Sequence, residues 1–98
     1  MPTYVTLINW TDQGIKNFRD TASRGKEAEE AMGKLGVRIK SLLWTVGQYD
    51  LVATVEADDE ESATAALLAL GSQGNVRTST MRAYDAEEMG RIIGKLPG

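Results

Sequence analysis

Four short runs rich in β-branched and aromatic residues, separated by two helix-length segments and one four-residue loop, leave this chain few ways to fold. Residues 3–9 read as a strand. Thr11 then caps a helix, with Asp12 at the positive end of its dipole. Ile15, Phe18, Ala22, Gly25, Met32 and Leu35 recur near helical spacing and carry that helix to Lys34, with Ser23-Arg24-Gly25 as its weak point and Gly36 as its stop. Residues 37–46 and 51–57 are two further strands. The loop Gly47-Gln48-Tyr49-Asp50 suits a hairpin, which makes them antiparallel neighbours. Asp58, followed three residues later by Glu61, matches a capping box, and Ala63, Ala66, Leu67 and Leu70 form a helical stripe that Gly71 and Gly74 end. Residues 76–84 are the last strand. Asp85 and Glu88 repeat the capping pattern before a short helix with Met89, Ile92, Ile93 and Leu96 on one face.

The order is βαββαβ plus a C-terminal helix. Right-handed crossovers then place both long helices on one face of a four-stranded antiparallel sheet, an α+β, ferredoxin-like arrangement. No linker or repeat divides it, so residues 1–98 form a single domain. Helices cover only one side of such a sheet, yet neither side reads as a clean solvent face. Tyr4, Thr6, Ile8 and Trp10 alternate with Val5 and Leu7; Lys40, Leu42, Trp44 and Val46 with Ile39, Ser41, Leu43 and Thr45; Leu51, Ala53 and Val55 with Val52, Thr54 and Glu56. A patch of several hundred Å² left wet is unusual for a monomer, so the expectation is a homodimer or higher homo-oligomer pairing sheet to sheet.

Composition removes many chemistries. Among 98 residues there is no cysteine and no histidine, which excludes disulfides, thiol nucleophiles, thiolate metal sites, Ser-His-Asp triads and His-ligated haem. The acids at 58–61 lack the spacing of a calcium loop, and Gly71-Ser72-Gln73-Gly74 lacks the Lys-Ser/Thr ending of a phosphate loop. No metal and no cofactor is expected. Eleven basic against fourteen acidic side chains, net −3, give no basic stripe for nucleic acid. No run is long enough to span a membrane, and no basic region precedes an apolar leader, so the expected setting is the cytoplasm.

The remaining candidates are aromatic, carboxylate, amide and guanidinium groups. Asp50 as base and Tyr49 as hydrogen-bond donor are the candidate catalytic pair; the same residues also suit loop amides and sheet packing. Tyr4, Trp10 and Trp44 offer flat walls to a planar ligand, with Asn75 and Arg77 to orient a polar group on it.

Three blocks carry a resemblance to the GYD domain family: Leu7-Ile8-Asn9-Trp10-Thr11-Asp12-Gln13-Gly14-Ile15, Trp44-Thr45-Val46-Gly47-Gln48-Tyr49-Asp50-Leu51-Val52 and Ala69-Leu70-Gly71-Ser72-Gln73-Gly74-Asn75-Val76-Arg77-Thr78. That family is similar to the dimeric α+β-barrel group, whose ferredoxin-like subunits pair through their sheets. The wider group includes cofactor-free monooxygenases, isomerases, haem-handling enzymes and amino-acid-sensing domains, so the resemblance implies a fold and a pairing mode without choosing a reaction. In such a fold the β1–α1 junction and the β2–β3 hairpin are expected at opposite ends of the sheet, so the blocks need not meet within one subunit. Three readings follow. The leading one is a self-associating domain that binds a small organic molecule in a cavity at the sheet or dimer interface. The others are a cofactor-free enzyme using Asp50 and Tyr49, and a structural or regulatory assembly module without a ligand.

Overall fold

The computed structural model describes residues 1–98. Strands β1 (Thr3–Trp10), β2 (Val37–Trp44), β3 (Leu51–Ala57) and β4 (Val76–Ala83) form one antiparallel sheet in the order β2-β3-β1-β4. Helices α1 (Asp12–Lys16) and α2 (Thr21–Gly33) link β1 to β2, α3 (Glu60–Ser72) links β3 to β4, and α4 (Ala86–Ile93) follows β4. This is the ferredoxin-like α+β arrangement expected from the element order.

Cross-strand register fixes the two faces. Tyr4 lies opposite Val55, Thr6 opposite Ala53 and Ile8 opposite Leu51; these residues are buried, and with Val37, Ala57, Met32, Ala63 and Ala66 they make the core. The other face carries Val5 and Leu7 of β1, opposite Thr54 and Val52 of β3, with Met81 of β4 opposite Val5. Strand β2 departs from simple alternation. Its register shifts between Ile39 and Ser41, so Ile39 pairs with Val55 and Leu42 with Ala53. One extra residue in the strand turns Ile39, Leu42 and Trp44 to the helix side together and leaves Leu43 on the open side. The expected grouping of Ile39 with Leu43 is therefore replaced.

The first helix is interrupted earlier than its glycine suggests. Asn17 Nδ2 donates to the Gln13 carbonyl at 3.1 Å, taking the acceptor that the Asn17 amide would use in a continuing helix. That amide bonds Gly14 O at 3.2 Å instead, and a 3-10 turn (Phe18–Asp20) intervenes before α2. Gly25 sits inside α2 without a break. The cap of α3 also shifts by one residue. Asp59, in extended conformation, accepts from Ser62 N at 2.7 Å. Asp58 instead pairs with Arg38 at 3.5 Å, while its amide bonds Gly36 O at 2.9 Å. The Asp85–Glu88 capping box is complete, at 2.8 and 3.1 Å.

The molecule measures 54 × 30 × 18 Å. An eight-residue strand spans only about 27 Å, and a single helix layer on a sheet accounts for the 18 Å thickness. The long dimension arises because α4 stands off from the sheet, with Met89, Ile92, Ile93 and Leu96 all exposed.

The Asp59 carboxyl is held below the usual aspartate range, first by the Ser62 backbone amide and then by the Ser62 hydroxyl. A lowered folded-state pKa stabilises the fold fully above the ordinary aspartate value, and that contribution is lost as pH falls through the lowered one. Asp59→Ala should therefore lower the thermal midpoint at pH 7 and narrow its gap to the wild type at strongly acidic pH, as read by circular dichroism melts.

Candidate functional site

Strand β1 runs past the start of β3, so the amides after Ile8 need partners that β3 does not provide. The Asp50 backbone donates to Ile8 O at 2.9 Å, and its carboxylate accepts from Trp10 N at 2.9 Å. On the other side Thr11 N donates to Asn75 O at 3.1 Å and Thr11 Oγ1 to Gly74 O at 2.6 Å. Gln13 Nε2 reaches Asn75 Oδ1 at 2.9 Å and Gln73 O at 3.2 Å. Thr11 Oγ1 also caps α1 by accepting from Gly14 N. Thr45 closes the hairpin, its amide bonding Asp50 O at 2.8 Å and its hydroxyl the Tyr49 carbonyl at 2.5 Å.

The three sequence blocks thus form one clasp at a single end of one subunit. The expectation of opposite ends is overturned by register: Ile8 faces Leu51 and Trp10 faces Val76, so β3 and β4 both begin where β1 finishes. Two glycines are required there. A Cβ on Gly14 would lie 1.9 Å from Asn75 O, and Gly74 adopts φ +81° just before Asn75.

Beside the clasp lies a cleft of about 640 Å³ between the sheet and the helices. Its floor is Thr6, Ile8, Leu51, Ala53 and Val55. Its existence follows from α2, whose sequence TASRGKEAEEAMG offers one large apolar side chain, the buried Met32. Gly25, Ala28 and Ala31 reach the sheet with too little volume to fill the space above it. The start of α2 is tied, at the clasp end of the sheet, by Trp44 Nε1 donating to Thr21 Oγ1 at 2.9 Å.

The candidate residues are dispersed around this frame. Trp10 and Asn75 line the cleft near the clasp. Trp44 lies against α2 at Gly25, 44 % exposed. Tyr4 is buried at the opposite end of β1 beneath the Arg82 guanidinium, which is 5.6 Å from its ring centroid, and its hydroxyl has no partner. Arg77 is exposed and faces the other side of the sheet, opposite Asn9. Tyr49 and Asp50 are both half-buried, with no hydrogen bond between them. Sequence reasoning does not select Gln13 as a site residue, although its amide makes two contacts across the clasp. Its place inside the first block is the available signal. No group of three or more acidic side chains is arranged to hold a metal ion, and no helix is long and apolar enough to cross a membrane.

Comparison with known proteins agrees with this frame. The GYD domain family matches residues 4–93. A protein of Thermus thermophilus, named as a glutamine synthetase and cystathionine beta-lyase binding protein, is 33% identical over 90 residues, covering 91% of this chain and 95% of its own. Two crystal structures share the fold. FFRP-DM1 superposes with a TM-score of 0.62 at 21% identity, over 86% of this chain and 100% of that one. TTHA0845, also from Thermus thermophilus, gives 0.55 at 27% identity, over 88% and 96%.

Gly14→Ala should cost about 2–4 kcal/mol in urea unfolding, because the clash is with backbone that other clasp bonds hold in place. Gly71→Ala, in α3 with nothing within 4 Å of an added Cβ, should be neutral or gain up to about 1 kcal/mol.

Proposed function

This chain belongs to the GYD domain family, and on that premise we propose that it is a self-pairing protein-binding module that docks metabolic enzymes. The observation that carries this reading is the uncovered sheet face. Leu43 is 63 % exposed and Met81 48 % exposed, and with Val5, Leu7 and Val52 they form an apolar patch across all four strands. No helix of the chain lies over it. Its rim is polar, with Arg77, Ser79, Thr54 and the Lys40–Glu56 ion pair at 3.2 Å. An apolar centre with a polar rim is the anatomy of a protein interface. Burial at about 25 cal/mol per Å² favours association by several kcal/mol before entropic costs. A second copy supplies the self-complementary patch that a two-fold interface needs.

The docking role draws support from the Thermus thermophilus relative, whose name states that it binds two enzymes. The clasp supports a binding role too. The Asp50 carboxylate, the base of the enzyme reading, already accepts the Trp10 amide, and Tyr49 does not hydrogen-bond to it.

A second reading is favoured by the cleft, whose size lies within the range of small-ligand pockets and whose lining mixes an apolar floor with Trp10, Asn17, Gln73 and Asn75. A planar organic molecule fits that lining, and Asp20, Arg24 and Glu27 add charged groups along its helical wall.

Sedimentation velocity at micromolar concentration should give a dimer for the wild type and a 10.7 kDa monomer for Leu43→Asp. A monomeric wild type would overturn the pairing. Surface plasmon resonance against glutamine synthetase and cystathionine beta-lyase from the same organism tests docking, and absence of binding to either enzyme refutes that partner class. For the cleft, planar aromatic probes should quench Trp10 emission with micromolar midpoints, and Ala28→Phe should weaken them at least tenfold by filling the space.

A further inference from the structure

Helix α4 is better built than its isolation requires. Both bonds of its capping box are made, Arg91 pairs with Glu87 one turn earlier at 3.2 Å, and Gly94 N closes the last turn onto Gly90 O at 3.0 Å. Its apolar residues fall on one face, and that face is left open by its own chain: Met89 is 42 %, Ile92 38 %, Ile93 58 % and Leu96 67 % exposed. Only Tyr84 and Asp85 join it to β4.

We infer that α4 is an exchanged arm, whose Met89, Ile92, Ile93 and Leu96 pack on a second copy of this chain at the margin of the paired sheets. The inference rests on the sheet-to-sheet pairing proposed above and says what completes it. Area argues for this occupant. Four strands of about eight residues present a face of roughly 500 Å², whereas a stable interface buries about 800 Å² per partner. The apolar side of a helix extended to Leu96 adds roughly 200 Å², bringing the total near that requirement. Continuity argues for it as well. The helix departs from β4, an edge strand of the face that pairs, so a copy lying on that face comes within its reach. Charge does not oppose it, since Glu87 and Glu88 are balanced by Arg91 and Lys95.

The experiment uses the full chain. Ile92→Asp and Leu96→Asp replace exposed side chains, so both variants should melt as the wild-type subunit does at concentrations where it is monomeric. Their dimer dissociation constants should rise at least thirtyfold by sedimentation velocity. The chain has no cysteine, so Lys95→Cys gives a single spin-label site. Mixed with isotope-labelled wild type, the labelled copy should broaden amide signals of the other copy's sheet. Dimers that persist unchanged in both variants, without broadening between copies, would overturn the arm while leaving sheet pairing intact. A wild-type monomer would remove both. Unchanged dimers together with lost enzyme binding would reassign α4 to the enzyme surface and overturn the exchange.

Discussion

The clasp depends on the backbone amides of Trp10 and Thr11. A buried or half-buried N–H without a partner costs about as much as a lost hydrogen bond, and at this point β1 has outrun the strand on one side. The Asp50 carboxylate substitutes for a missing strand residue at 2.9 Å, and the Asn75 carbonyl receives the next amide at 3.1 Å. Those two bonds tie together the hairpin, the β1–α1 turn and the entry to β4. The proximity demanded at Gly14 and the positive φ at Gly74 are consequences of the same fastening. A tight motif in the sequence here corresponds to a tight junction in space.

Two asymmetries follow from the rest of the chain. All the helices linking strands lie on one side of the sheet, so Val5, Leu7, Leu43, Val52 and Met81 are left without cover. On the covered side, α2 brings alanine and glycine where a filled core would need leucine or phenylalanine, and the cleft remains. One side therefore has unburied apolar surface, and the other has unfilled space in an open cleft. The pairing reading answers the first and the ligand reading the second, and both fit on one subunit.

The positions of the strands, the antiparallel hairpin and the final capping box were legible because each has a local physical cause: β-branched runs, a Gly-to-Asp loop, an aspartate three residues before a glutamate. Non-local consequences were less legible. Alternation cannot reveal the bulge at Lys40, because an extra residue leaves the pattern locally intact while reversing everything after it. The early end of α1 turned on which of two donors on Asn17 took the Gln13 carbonyl. The cleft was foreshadowed by the scarcity of large apolar residues between Thr21 and Gly33, yet volume deficits become visible only when the opposing surface is known. The meeting of the three blocks required the register of β1 with both neighbours.

The irregularity at Lys40 has one more effect, on growth. Addition of strands without limit needs two receptive borders, one at each side of the sheet. β2 forms one border, and its kinked, lysine-bearing ladder offers a poor template to an incoming strand. Only the β4 side retains a regular row of donors and acceptors, so a subunit's own sheet can be extended at one border and not at the other.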